Sequence, residues 1–564
     1  MYEIPAQKSR GMTINLKIWE NPIVWRQFKS RLRTSAILQC LLVLITAAFI
    51  TLITYAGLDR FSVDKLQAAR AGIIPLLILQ GLILMLAGTG RVTSGIIHER
   101  VTGTLDYTRL APMPPLRKVV GYLFGLPVRE YVLFLITVPF MSFLLIQGQI
   151  PAAVIVPVYL VFFSSVLLYH LIGLVFGLVL KEWRMSVLFT QGVVILINLI
   201  LPAFSTLGFP LLQYLSVRPV VAAKIYPYLP VSSSFREQGT EAFFSSNVAF
   251  FNLSISTTLF TLLLQGVLIF TLGLMVYRKW ENAFNKSLGK LYAMGLFVGL
   301  QFFCIGTLWP NLVESVNSDL ARGLLGTNIS RNELAILLPL VFTYFSLFCV
   351  CWLLYIVTPT HDEYRSGKLL DRKLRRSGKK CLPLLNDKSS ALVTAVVFAV
   401  ATFVFIVFIQ ATFADTQYYQ GKGLFSAESM RLAVAAVMIT FYFHIALEAL
   451  EIQKMGVLLV ILWIVPVLLA ILSGVAFGVE LNWAYIAALS PIALVAFSIL
   501  PLLSDVLASE MSDLFARAYM SGIACNLIIT AYLGYRLLNI RKLMTQKLRF
   551  LEQKNLNIEQ RTGS

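Results

Sequence analysis

Residues 34–56 read TSAILQCLLVLITAAFITLITYA, twenty-three residues without a charge. A helix needs about 20 apolar residues to cross a bilayer. The run follows a basic leader that extends to Arg33 and is too long for the core of a signal peptide. Similar windows recur near residues 71–89, 125–146, 153–180, 186–206 and 256–277, then near 291–309, 335–357, 391–411, 432–453, 456–478 and 518–538. The composition agrees: 58% of the 564 residues are hydrophobic and 13% charged, with a mean hydropathy of +0.77. Soluble domains run at about 45–50% apolar and about 25% charged. A secreted enzyme, a nucleic-acid-binding domain and a disordered tail protein are excluded. The sequence predicts an all-α polytopic membrane protein of about twelve transmembrane helices.

The net charge of +19 does not point to nucleic acid, because Lys and Arg sit in short loops and tails beside the apolar runs. The termini and alternate loops hold 35 of the 47 basic residues, about +22 net, and the opposite loops come out near −2. By the positive-inside rule both termini are cytoplasmic, and the expected location is the cell (inner or plasma) membrane. The six cysteines form neither a disulfide framework nor a zinc site. HExxH and GxSxG are absent, and no histidine–cysteine cluster suggests a metal.

Two less apolar stretches, about 207–255 and 479–517, each follow a fifth window and contain prolines. They read as short helices resting on or dipping into the outer leaflet, since backbone at depth must be satisfied within the protein; Trp483–Leu500 alternatively reads as a span. Trp19-Glu20-Asn21-Pro22 precedes the first window and Trp280-Glu281-Asn282-Ala283 the seventh, while Tyr277-Arg278 and Tyr535-Arg536 close the sixth and twelfth. The expected organisation is a six-span half over 1–285, a second over 286–545 and a cytoplasmic tail over 546–564.

Residues 21–33, NPIVWRQFKSRLR, read as a short interfacial helix. Asn21 is a good N-cap and Pro22 suits the first position. Ile23, Val24, Phe28 and Leu32 fall near one face with Trp25 beside them, and Arg26, Lys29 and Arg33 are expected to meet anionic headgroups. Residues 93–125, TSGIIHERVTGTLDYTRLAPMPPLRKVVGYLFG, turn polar after the second window while keeping helical spacing. Gly103 allows a bend, and Pro112, Pro114 and Pro115 stop the helix.

The pattern Glu99-Arg100-x-x-Gly103-Thr104-Leu105-Asp106, followed by Leu110-Ala111-Pro112 and Gly121 after a basic pair, resembles the cytoplasmic signature of ABC-2-type transporter permeases. The Asn21-Pro22 helix resembles the element before their first span, and the six-span layout with an outer hairpin before the last span is similar too, over residues 15–285. The resemblance implies that 93–125 is a coupling helix and its flank, seated in a cleft of a separate ATP-binding subunit that holds ATP and Mg. Glu99, Arg100, Gly103, Thr104, Asp106 and Pro112 are the positions carried over. The chain needs such a partner for that role, because no Walker A loop occurs in it and no soluble stretch could house a nucleotide-binding domain.

The corresponding loop of the second half, 357–390, lacks the Glu-Arg-x-x-Gly-Thr element, carries nine basic and four acidic residues, and reads as a solvated loop that attracts anionic lipid. Ionisable residues within spans are functional candidates. His444 and Glu448, one turn apart, read first as a structural pair near the cytoplasmic end, as do Arg129 and Glu130; His170 reads as hydrogen-bonded to a neighbouring helix. Four GxxxG pairs (Gly121–Gly125, Gly173–Gly177, Gly295–Gly299, Gly474–Gly478) permit close helix approach, about half of them by chance.

The expectation is therefore a permease subunit of an ABC-2-type exporter for a hydrophobic or amphipathic substrate such as a lipid, polysaccharide or drug, with no catalytic residues or cofactor of its own. The alternatives are an ion-coupled secondary transporter and an integral membrane transferase on lipid-linked substrates. One chain is expected to serve as an internal pseudo-dimer, with a homodimer through the first halves as the other arrangement.

Overall fold

A computed structural model describes residues 20–32, 34–57, 64–180, 183–205, 210–229, 246–282, 285–313, 331–378, 380, 383–416, 419, 425–450, 455, 457, 459–477, 483–503 and 509–562. The chain divides into two compact units that meet between Asn285 and Lys286. Eleven described helices are long and apolar enough to cross a membrane, six in the first unit and five in the second. This is a multi-pass helical membrane protein.

In the first unit, α1 (Pro22–Arg31) precedes α2 (Thr34–Leu52). Helices α3 (Lys65–Ala71), α4 (Ile73–Gly81) and α5 (Thr89–Val101), with a π-helical turn at Leu82–Gly88, run on as one element over Lys65–Val101. The second crossing and the start of the polar segment, as far as Val101, are thus one rod. Then come α6 (Thr104–Leu110), α7 (Pro115–Gly125), α8 (Val128–Gln147), α9 (Ala152–Val179), α10 (Trp183–Ile195), α11 (Pro210–Gln213) and α12 (Arg218–Lys224). A short antiparallel hairpin, β1 (Asn247–Phe250) with β2 (Leu253–Ser256), leads into α13 (Thr257–Glu281). The outer stretch is therefore not wholly helical as expected. The alternation that buries Val248 and Phe250 is too brief to register in a span-length hydropathy window.

Contacts between span ends show their directions. At one end, Arg26 of α1 pairs with Glu99 of α5, Arg100 donates to the carbonyls of Leu178 (3.3 Å) and Leu180 at the close of α9, and Tyr122 stacks on Trp280 near the close of α13, ring centroids 5.0 Å apart. At the other end, Arg70 Nε donates to Gly148 O (2.8 Å) after α8, and its guanidinium lies 5.5 Å from the Tyr228 ring. The ends of the second, fourth and sixth crossings thus gather on the side that bears α1 and α7.

The second unit contains α14 (Lys290–Val313), α15 (Arg331–Val357), α16 (His361–Arg376), α17 (Leu392–Ala411), α18 (Ala427–Ala449), a π-helical turn at Val460–Ile464 leading into α19 (Val465–Phe477), α20 (Trp483–Ala488), α21 (Pro491–Ile499) and α22 (Ser509–Thr562). The loop expected at 357–390 instead contains α16. Thr360 and Glu363 form a reciprocal capping box, which satisfies two end amides and starts a helix; Gly367 is buried against Lys388, whose Cβ an added Cβ at Gly367 would meet at 2.7 Å. The 54 residues of α22 make about 80 Å, so the tail expected at 546–564 continues the last span as helix through Thr562. The window expected at 456–478 is described over 459–477 and is a shorter apolar helix, Val460–Ser473.

Each unit folds a turn into itself before its last span. In the first, the Leu215 carbonyl between α11 and α12 accepts from Gln265 Nε2 on α13 (3.3 Å) and lies 3.4 Å from the Tyr169 hydroxyl; Ser216 Oγ accepts from the Arg218 amide (3.4 Å). In the second, the Leu489 carbonyl between α20 and α21 accepts from Asn526 Nδ2 on α22 (3.4 Å), and Ser490 Oγ accepts from the Ile492 amide (3.3 Å). Both serines are fully buried. A Leu-Ser turn followed by proline, locked by an amide side chain of the last span, satisfies backbone that water does not reach.

Candidate functional site

The polar segment beyond the second crossing is shaped by its own sequence. Helix α5 stops because Gly103 adopts φ +74°, a left-handed conformation that costs any residue with a Cβ. Pro112 and Pro114 prevent α6 from continuing, and Pro115 opens α7, where the missing amide is no loss. Three helices, α5, α6 and α7, thus fold back on one another at the end of the crossing.

Glu99 lies at their centre, 6% exposed. It accepts from Arg26 and from Gln27 Nε2 (2.7 Å) on α1, and from the Tyr122 hydroxyl on α7. Thr108 Oγ1 of α6 stands 3.2 Å from the same hydroxyl. Burial, and then the Glu99 carboxylate, push the Tyr122 hydroxyl up, so it keeps the proton it donates. Burial works against the Arg26 cation, but Glu99 and Tyr122 outweigh it and hold its pKa above the ordinary value. Behind Arg26, Arg31 Nε donates to Gln27 Oε1 (2.9 Å), and burial holds its pKa below the usual value. Lys118 is also buried; its ammonium donates to Arg109 O (2.8 Å), and burial lowers its pKa.

Helix α1 reaches this cluster through glycine. Asn21 caps it, its Oδ1 accepting from the Ile23 amide (3.0 Å) while its Nδ2 donates to Arg117 O (2.7 Å) on α7. A Cβ on Gly121 would stand 2.8 Å from Asn21 Nδ2, and one on Gly125 3.2 Å from Val24 Cα. Gly173 and Gly177 likewise bring α9 against Thr89, Thr93 and Ile96 of α5, at 3.0–3.1 Å for an added Cβ. Gly295 and Gly299 meet nothing within 4 Å in their unit, and Gly478 lies outside the described residues.

The expected residues divide sharply by orientation. Glu99 and Arg100 turn inward and tie helices together. Thr104, whose hydroxyl is 3.0 Å from that of Thr102, Asp106, paired with Arg109 at 3.0 Å, and Pro112 lie on the outer edge. Pro22 opens α1, whose outward face carries Trp25 and Phe28, edge to face at 5.7 Å, with the Lys29 ammonium 5.9 Å from the Trp25 ring. Arg26, its side chain 43% exposed, pairs with Glu99, because a buried carboxylate needs a cation. Arg33 lies outside the described residues. Sequence reading gave no site role to Gln27, Tyr122 and Trp280, nor to Val101, Tyr107 and Leu110, which are 75%, 77% and 83% exposed at the tip of the segment. The signal was available: three large apolar residues within a polar stretch that leaves the membrane.

Among the other candidates, Arg129 (2.6 Å) and Arg91 (3.4 Å) both pair with Glu130. His170 bridges helices: its Nε2 donates to Leu84 O (3.0 Å), which leaves Nδ1 to accept from the Tyr131 hydroxyl (3.3 Å). Gly88 makes room for the ring, since a Cβ there would stand 2.6 Å from Nε2. Glu448 organises the second unit much as Glu99 does the first. It pairs with Arg541 of α22 and accepts from Ser390 Oγ and the Ala391 amide, both at 2.8 Å, while His444 Nε2 is 3.9 Å away. The histidine is thus the distant member of that cluster. Lys290 Nζ donates to the carbonyls of Asn386 and Ser389, each at 2.7 Å, and fastens α14 to the same loop.

No group of three His, Cys, Asp or Glu side chains able to hold a metal occurs among the described residues. The chain matches no protein-family model, no curated protein and no solved structure.

Proposed function

We propose that this protein is the membrane-spanning subunit of an ATP-driven transporter of the ABC-2 type, an exporter of a hydrophobic or amphipathic substrate in the cell membrane, powered by a separate ATP-binding subunit. One observation carries the reading. An outward tip with Val101, Tyr107, Leu110 and Asp106 sits on a segment that Glu99, Arg100 and Tyr122 tie to α1 and to the ends of the second, fourth and sixth crossings. Exposed apolar clusters of this kind mark docking sites, and a rigid tie converts a push at the tip into movement of whole helices.

The twelve-crossing layout in two six-span halves is part of the same proposal. In the second unit the Tyr519 hydroxyl donates to Arg431 O (2.8 Å) and Arg541 pairs with Glu448, so α18 and α22 run in the same direction. The chain between them has to return, and residues 459–477 supply about 28 Å of helix for it. The two Leu-Ser turns held by the last span of each unit favour duplication and an internal pseudo-dimer. By the distribution of Lys and Arg, the face bearing Glu99 and Glu448 and both termini is cytoplasmic. An ion-coupled transporter is the weaker reading, since the buried carboxylates Glu130 and Glu448 are each held by arginine.

The test is co-purification of the full chain with the Walker-motif ATPases of its own cell, and ATP-driven substrate movement in vesicles. Tyr107→Asp with Leu110→Asp should abolish ATPase capture while leaving the protein inserted and monodisperse. Capture undiminished in that variant, or transport by the chain alone on an ion gradient, sinks the proposal.

A further inference from the structure

A cleft of about 540 Å³ opens between α5, α8 and α10, lined by Arg91, Ser94, Arg129, Gln191, Val187 and Leu188 among others. Its depth follows from where these residues lie on their helices. Arg91 and Ser94 are near the end of the Lys65–Val101 element, Arg129 is the second residue of α8, and Val187 to Gln191 fall in the first two turns of the Met185–Ala203 crossing. All three positions are at the same end of their spans, the end that also bears Glu99. The polar lining therefore stands where a bilayer places its phosphate layer, just beyond the hydrocarbon.

The charge there is unbalanced. Arg91 and Arg129 share one oxygen of the single carboxylate Glu130, which is buried behind them. Two guanidinium groups thus face one carboxylate, an excess of one positive charge. Guanidinium forks match phosphate oxygens. Gly90 leaves the space that Gln191 occupies, since a Cβ there would stand 2.6 Å from the Gln191 amide nitrogen. The opposite wall is apolar: Leu188 is largely exposed, and so are its neighbours Met185 and Phe189.

We propose that this cleft binds the phosphate of a membrane lipid between Arg91 and Arg129, with Ser94 and Gln191 at the headgroup and an acyl chain along Val187 and Leu188. The phosphate alone would satisfy the arginines; the apolar wall assigns the lipid rather than free phosphate. The site stands on its own geometry and does not rest on the transport reading.

Native mass spectrometry of the full chain, released from detergent with phosphatidylglycerol or phosphatidylcholine added, tests it. Both lipids offer the phosphate, but the choline ammonium of the second is repelled by the unbalanced arginines, so the wild type should retain phosphatidylglycerol with about tenfold preference. Arg91→Gln should remove most of that preference; it leaves Arg129 on Glu130, so the buried carboxylate stays paired. Leu188→Asn, at an exposed position, should weaken retention of both lipids. Equal retention of the two lipids by the wild type, or a preference unchanged in a folded Arg91→Gln protein, overturns the site. Inorganic phosphate that displaces the lipid at equal concentration, with Leu188→Asn having no effect, overturns the lipid assignment in favour of a soluble anion.

Discussion

Glu99 illustrates how much one buried carboxylate can organise. Its three donors come from two other helices, and Gln27 lies 72 residues away in the chain. Replacing one partner of such a cluster strands the others, which costs more than the cluster contributes as a whole. Glu99→Ala should therefore lower the melting temperature of the detergent-purified protein, by a loss of about 2–3 kcal/mol. Glu99→Gln should lose less, because the amide oxygen still accepts from Arg26 and Gln27, which share one carboxylate oxygen, while its NH2 can donate to the Tyr122 hydroxyl on the other side; equal losses in the two variants would mean that charge and acceptor geometry do not matter there. Glu363 gives a pH-dependent counterpart. Burial opposes its ionisation, yet the Lys286 ammonium at 2.9 Å and the Thr360 amide at 2.8 Å hold its carboxyl below the usual value. With the folded-state pKa under the unfolded value of about 4.3, the contribution is present above that pH and is lost as pH falls through the lower, folded-state value. The wild type should thus lose stability more steeply than Glu363→Gln as pH is lowered through that acid window, by under about 1 kcal/mol since the pair is partly solvated. Parallel curves would discount the pair.

At the scale of elements, the same GxxxG spacing has different consequences. Gly173 and Gly177 let α9 lie against α5, and an added Cβ at Gly177 would meet Ile96 Cβ at 3.0 Å and Thr93 O at 3.2 Å. Gly177→Leu must separate the two helices, an overpacking cost of about 1–3 kcal/mol. A Cβ on Gly295 meets no atom within 4 Å, and alanine is the better helix former by about 0.8–1 kcal/mol in water. Gly295→Ala should leave the melting temperature unchanged or raise it, and Gly177→Leu should lower it. The reverse order would mean that the first pair is not the packed one. The capping box of α16 belongs to this scale too: Thr360-x-x-Glu363 was present in a stretch dominated by charge, and charge count alone does not separate a solvated loop from a surface helix.

For the whole molecule, sidedness is the consequence that can be measured directly. With every native cysteine replaced, single cysteines at Tyr107, Asn252 and Gln546 report three places: the tip of the polar segment, the turn of the β-hairpin and the long last helix. With twelve crossings, 459–477 among them, and both termini cytoplasmic, as proposed, Tyr107→Cys and Gln546→Cys react with an impermeant maleimide only in inside-out vesicles. Asn252→Cys should react only from outside. Labelling of Gln546→Cys on the same side as Asn252→Cys would remove a crossing from the second unit.

The sequence by itself determined that this chain lives in a bilayer, where most of its crossings lie, where the polar segment bends at Gly103 and where α1 begins at Asn21. Apolar run length, caps and prolines act within a few residues of chain, so they can be read along it. It was also enough to suggest that His170 serves a neighbouring helix. Only the tertiary structure decided that Arg26 pairs with Glu99, that Arg100 holds the carbonyls at the close of α9, and that Leu215 and Leu489 are met by amides on later spans. Those pairings join residues tens of positions apart, and a polar side chain on an amphipathic helix looks the same in sequence whether it faces a headgroup or a buried carboxylate. The choice is made by what packing brings opposite it.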